Sequence, residues 1–335
     1  MLAARRTISR ISTSIPSALI YRPAARMSPL AKEATERIAP KTVSFASGDG
    51  SIVAHLYTPE SYDSTSRYPA VVIGGSLTSV KEMMSTSYAR ELALRDIIAM
   101  AIDYRNYGES SGRLRQHEDP PSKSIDLSAA VHFLSARSDV SRVGLLGICT
   151  SAGNVLYAAA SDSRVSAVAT VAGFFSEPAL VPMLFGGEEK VEQRRKKGRE
   201  ALELYETSGE IKLVPAYSPT NQEAASVSES PYYMDQSRGG GVRAWRNAFA
   251  VTSWESWLDF DPVSKAPYVK APALIVHSEK AAFPKQAQKV YELLSGPKEI
   301  EWVEGTHYDF YDDTATVTKT ANILADHFQK VLGQD

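Results

Sequence analysis

The chain has 335 residues, 43% of them hydrophobic and 23% charged, with a formal net charge of −2. That length and apolar content suffice for a full core in one large domain or two ordinary ones, and the balanced charge excludes the basic footprint of a nucleic-acid or anionic-membrane binder. A single cysteine excludes an intramolecular disulfide framework and a cysteine-rich zinc site, and no apolar run is long enough to span a bilayer.

Residues 1–26, MLAARRTISRISTSIPSALIYRPAAR, carry five arginines and many Ser and Thr, and the first acidic residue is Glu33. Leu2, Ile8, Ile11 and Ile15 share one face if the segment is helical. This composition predicts a mitochondrial transit peptide. The alternatives are a disordered tail on a cytoplasmic protein, or an extension ahead of a second start at Met27.

From about residue 40 strand-like and helix-like segments alternate. KTVSFAS and SIVAHLYTP flank Gly48-Asp49-Gly50, a hairpin signal because Asp-Gly supports the positive φ of a tight turn. Continuous apolar runs follow at 69–75 (PAVVIGG), 97–104 (IIAMAIDY), 142–149 (RVGLLGIC), 165–175 (VSAVATVAGFF) and 272–278 (PALIVHS), with a weaker one at 298–305 (KEIEWVEG). Such runs predict buried parallel strands. Segments 82–96, 124–137, 284–294 and 316–332 between and after them show helical periodicity. The order predicts an α/β fold, a doubly wound and mostly parallel sheet with helices on both faces, formed by residues 40–175 and 270–333.

The interval 176–269 is too long for a simple crossover between the sixth and seventh strands. It opens with GEEKVEQRRKKGREALELYE, passes through polar SPTNQEAASVSES and ends rich in aromatics. We read it as an inserted helical cap whose Trp245, Trp254 and Trp257 line an acyl-binding pocket. A helical embellishment whose aromatics only pack on the core is the plainer alternative.

Strand meets helix within RVGLLGICTSAGNVLYAAA. A nucleophile elbow at such a turn holds its side chain above the sheet in a strained backbone conformation, and crowding demands small residues two before and two after it. Centred on Cys149, those residues are Gly147 and Ser151; centred on Ser151, they are Cys149 and Gly153, which lengthens the strand and puts a larger residue in the tight place. Cys149 is therefore the expected nucleophile and Ser151 the alternative. The positive end of the helix beginning near Thr150 is expected to favour the thiolate. Of six histidines, His307 lies in a GTH loop directly after a late strand, at the edge where a doubly wound sheet gathers its site, and is the expected base. Glu279, after the penultimate strand, is expected to orient it. The order nucleophile, acid, histidine is the one this architecture uses.

The region from about Lys41 to Phe328 resembles an α/β-hydrolase. IGGSLTSVKEMM sits where that family has its oxyanion loop, DYRNYGESSG resembles its D-x-R-G-x-G-x-S-x-G stretch, and GICTSAG resembles the elbows of a cysteine-bearing branch. That branch is similar to dienelactone hydrolases and, in layout, to the fungal polyketide transferase family. The family's usual acid position corresponds to Ala281, which leaves Glu279, with Glu177 as a substitute; Gly74-Gly75 replaces the usual His-Gly of the oxyanion loop. The resemblance implies acyl transfer from an ester, lactone or thioester through Cys149, with the N–H groups of Thr150 and of Leu77 or Ser76 holding the oxyanion. It implies no metal and no organic cofactor. The expected partner is a small acyl substrate, with water or an alcohol as acceptor and homodimer assembly left open; a ligand-binding protein on a hydrolase scaffold is the reading from another class.

Overall fold

The computed structural model describes residues 38–333, so the segment read as a transit peptide lies outside the described residues. Eight strands form one sheet: β1 (Lys41–Ser47), β2 (Gly50–Tyr57), β3 (Tyr68–Gly74), β4 (Ile98–Ile102), β5 (Val140–Ile148), β6 (Val165–Val171), β7 (Ala273–His277) and β8 (Lys298–Trp302), in the order β1-β2-β4-β3-β5-β6-β7-β8. The first hairpin and the β2/β4 pair are antiparallel, and every pairing from β4 to β8 is parallel. Gly48 turns the hairpin at φ +58°. Besides a single helical turn at Pro231–Met234, the α-helices are α1 (Met84–Ala93), α2 (Pro120–Ser135), α3 (Thr150–Ser161), α4 (Val181–Phe185), α5 (Glu188–Ser208), α6 (Trp254–Leu258), α7 (Pro284–Leu293), α8 (Asp309–Asp312) and α9 (Thr314–Leu332).

Successive residues of the inner strands serve opposite faces. Val71, Ile73, Leu146 and Ile148 join one buried cluster with Leu92 of α1 and Phe328 of α9; Ala70, Val72, Val143 and Leu145 join a second with Leu127 of α2, Val155 of α3 and Val290 of α7. Both faces being covered explains why these strands run apolar without alternation. β8 is the exception, an edge strand with most of its residues exposed, which is why KEIEWVEG reads as the weakest run. Two helix starts follow from their caps. The Ser122 N–H donates to the Asp119 carboxylate at 3.3 Å while Pro120 and Pro121 fill the first helical positions, and the Thr316 N–H donates to Asp313 at 2.9 Å.

Residues 176–269 contribute α4 to α6, short turns and two ladders of two-residue strands. α5 turns Val191, Gly198 and Ala201 inward, and a Cβ at Gly198 would stand 3.3 Å from the Cβ of Trp254, so the glycine lets α5 close on α6. Phe249, Trp254 and Phe260 are buried. Among the described residues no helix is long and apolar enough to cross a membrane.

Candidate active site

β5 ends at Cys149, which turns the chain into α3 at φ +55° and ψ −116°. A non-glycine residue holds such a conformation only where its surroundings fix it, at a cost of about 1–3 kcal/mol. Here the Cys149 N–H donates to the Val171 carbonyl at 3.0 Å, and the Cys149 carbonyl accepts from the N–H groups of Ala152 at 3.0 Å and Phe174 at 2.9 Å. A Cβ on residue 147 would lie 2.2 Å from the carbonyl oxygen of Ser151, so the turn admits only glycine there. Ser151 faces elsewhere. Its fully buried hydroxyl bonds the Tyr104 hydroxyl at 2.8 Å and the Gly75 carbonyl, tying α3 to the loop after β3.

That loop carries the second half of the site. The N–H groups of Leu77 and Thr150 and the hydroxyl of Tyr311 lie close enough to the sulfur of Cys149 to favour its thiolate. The Leu77 carbonyl is held by the Tyr217 hydroxyl at 3.1 Å. Ser76 lies fully buried with its hydroxyl on that of Tyr233, outside the lining of the cavity. The loop is anchored below by Lys81, whose N–H and ammonium bond the two carboxylate oxygens of Asp103 at 2.7 and 2.8 Å. The ammonium also meets Glu82 at 2.7 Å and Glu109 at 2.5 Å. His55, Glu82 and Glu109 have ligand atoms within 4.8 Å of one another; Lys81 already supplies positive charge to both carboxylates, so a metal ion would compete with it.

His307 follows β8 as its sequence position suggests, and it lines the same cavity as Cys149. Its Nε2 lies 3.0 Å from the Tyr311 hydroxyl, which stands between imidazole and sulfur. The other ring nitrogen, Nδ1, bonds no carboxylate among the described residues: the Ala282 N–H approaches it at 3.4 Å. Glu279 is exposed and is not among the residues lining the cavity, and Glu177 accepts from Gln286 at 2.7 Å and from Lys289 at 2.6 Å. The structure therefore brings neither acid to His307. The Ala282 peptide fills that place, and the Ala282 carbonyl is held by His277 Nε2 at 3.1 Å.

Burial sets the charge state. It pushes the Cys149 thiol up to about 11 although Tyr311, Thr150 and Leu77 lower it in part, and it pulls His307 down to about 3 with His277 adding to the effect. Thiol and imidazole are both neutral at neutral pH. The thiolate expected from the helix terminus is thus corrected: loss of hydration outweighs the donors of the first turn of α3.

Cys149 and His307 open into a cavity of about 620 Å³, walled mainly by residues of the 176–269 segment. Trp257 lines it and stacks on Phe174 at 5.9 Å between ring centroids, while Trp245 and Trp254 stand outside the lining. Tyr217 and Tyr233 stack at 3.8 Å and form the wall near the sulfur. Sequence reasoning missed Tyr311; its spacing four residues after His307, on the short helix α8, was the available signal.

A strained strand-to-helix elbow facing converging backbone N–H groups, on a parallel sheet with a late-loop histidine, defines an α/β-hydrolase site. The chain belongs to the α/β-hydrolase superfamily. It is 32% identical over 305 residues to the uncharacterized protein PA2218 of Pseudomonas aeruginosa, covering 86% of this chain and 80% of that one. The crystal structure of PA2218 superposes with a TM-score of 0.76 at 27% identity, covering 88% and 94% of the two chains. The thiohydrolase aneE of Aspergillus aculeatus is 26% identical over 258 residues, 72% of this chain and 78% of its own. The α/β-hydrolase GrgF from Penicillium sp. sh18 shares the fold at a TM-score of 0.75 and 20% identity, over 88% of this chain and 99% of its own. No protein-family model matches the chain.

Proposed function

We propose that this protein is an acyl hydrolase in which Cys149 attacks the carbonyl carbon of an ester, lactone or thioester. The observation that carries the reading is the convergence on the sulfur of the Leu77 and Thr150 N–H groups and the Tyr311–His307 pair, at the base of an apolar cavity. In this reading the thiol proton passes to the Tyr311 oxygen as the phenol proton passes to His307 Nε2, and sulfur bonds to the carbonyl carbon. The carbonyl oxygen then takes the sulfur's place on the two N–H groups, each donor of this kind lowering the barrier by about 3 kcal/mol. The Ala282 contact at 3.4 Å is long, so it imposes little on which imidazole nitrogen carries the proton. Collapse expels the leaving group, which recovers a proton by the reverse route, and water or an alcohol accepts the acyl group. The name of the relative aneE, a thiohydrolase, supports a thioester among the substrates.

A second reading, an acyl-binding protein without turnover, is favoured by the missing carboxylate at His307 and by the neutral thiol. One experiment separates the two. Acyl thioesters and esters of increasing chain length are incubated with the protein and with Cys149→Ala, and intact mass and product are followed. An acyl adduct on the wild type alone, decaying with product release, supports the hydrolase. Binding with neither adduct nor product would replace it with the second reading, and an adduct discharged only by an alcohol would make the protein a transferase.

A further inference from the structure

The basic run of α5 is Arg194, Arg195, Lys196, Lys197 and Arg199, and four of these five meet carboxylates, Lys196 the most loosely, with Glu200 at 3.9 Å. Arg195 pairs with Asp259 at 2.6 Å, Arg199 with Glu192 and Glu255 at 2.6 Å each, and Lys197 with Glu223. Arg194 turns the other way, into the cavity, where it is the one formally charged residue of the lining among the described residues. Its hydrogen-bond partners are neutral, and the carboxylate of Glu223, which acts on it through space, is itself paired with Lys197. Nη1 donates to the carbonyls of Phe185 and Lys190, and Nη2 to that of Gln222, each at 3.2 Å. The guanidinium lies 5.1 Å from the ring centre of Phe185 and 5.3 Å from that of Trp254. A guanidinium has five N–H donors, so among the described residues an Nε–H and an Nη2–H have no protein acceptor. A half-buried cation on aromatic faces, with no carboxylate hydrogen-bonded to it, is screened less than one in open water, and an anion reaching it gains accordingly.

We propose that Arg194 is an anion-recognition point of this cavity and that its ligand is an acyl compound carrying a carboxylate or a phosphate away from the reacting carbonyl. The groups bonded to Arg194 and those placed around Cys149 share no residue, so the reactive carbonyl and the anion occupy different parts of one cavity. This rests on the reading that the cavity receives an acyl chain, but not on turnover. Neutral acyl chains then bind by apolar contact alone, and the guanidinium selects among them by charge.

The test is equilibrium binding, read by the fluorescence of Trp257 in the lining and of Trp254 under Arg194. The protein is titrated in a Cys149→Ala background, which cannot turn the esters over and serves as the wild type for Arg194, with a series of long-chain dicarboxylic acid monomethyl esters, with the matching dimethyl esters, and with alkyl phosphates of equal length. The carboxylate should bind about ten- to hundredfold more tightly than its dimethyl ester, the range of a charge-assisted hydrogen bond. In Arg194→Gln that ratio should fall to within about twofold, with the dimethyl ester bound as in the wild type, and Arg194→Lys should retain part of it. The phosphate arm tells whether the site prefers that anion to carboxylate. Equal affinity of the wild type for charged and neutral partners overturns the proposal without any Arg194 variant having to fold, as does a preference that survives Arg194→Gln. Either result leaves the acyl-hydrolase reading to its own adduct experiment.

Discussion

Replacing Tyr311 by Phe removes one hydroxyl and leaves the ring, which packs edge-on against His307 at 5.3 Å and against Tyr232 at 5.0 Å. In the intact protein the sulfur of Cys149 faces three donors, and the thiol still titrates at about 11 because burial dominates. A hydrogen bond to a charged acceptor contributes about 1.5–3 kcal/mol, so losing the phenol weakens the thiolate by roughly ten- to hundredfold in population at any pH below its titration. The sign follows from the chemistry: only the thiolate is alkylated, its fraction rises with pH up to the thiol pKa, and removing a donor moves that rise to higher pH. Iodoacetamide labelling of Cys149, followed by intact mass from pH 7 to 11, should climb about tenfold per pH step in the wild type and run ten- to hundredfold lower in Tyr311→Phe. A wild-type thiol that labels faster at pH 7 than a free cysteine would refute the burial argument. Superimposed profiles of wild type and variant, with folding intact by circular dichroism, would refute the role of Tyr311 beside the sulfur.

Ala281→Asp restores a carboxylate one residue from the N–H that faces His307 Nδ1. A nearby negative charge favours the imidazolium and raises the histidine from about 3, so kcat/KM at neutral pH should increase about tenfold; an unchanged rate in a folded variant would remove His307 as the base. Ser151→Ala deprives the buried Tyr104 hydroxyl and the Gly75 carbonyl of a partner and should cost about 1–3 kcal/mol in urea unfolding, with Cys149 still acylated; loss of adduct at wild-type stability would move the nucleophile to Ser151. For residues 1–26 we propose mitochondrial targeting, tested by fusing them to a fluorescent reporter. Diffuse cytosolic signal would exclude it.

The amino-acid sequence by itself determined the sheet and the turn. Runs such as PAVVIGG and RVGLLGIC are apolar on both faces because helices cover both, and that requirement is written residue by residue along each strand. The elbow is equally local. Gly147, Cys149 and Ser151 lie within five residues, and the collision that forbids a side chain at 147 is with the backbone of 151. What faces the sulfur and the imidazole is not local. Leu77, Tyr311 and Ala282 reach Cys149 and His307 from separate elements, and no spacing rule selects the Ala282 N–H over the Glu279 carboxylate; that choice depends on how the chain after β7 packs. The charge state was beyond the sequence for the same reason. A helix terminus is visible in TSAGNVLYAAA, but the loss of water that outweighs it is burial, which only the assembled fold imposes. Arg194 looks no different from Arg195 in the run QRRKKGRE. Only the packing of α5 against the cavity separates an arginine that closes an ion pair from one whose hydrogen bonds all go to carbonyls.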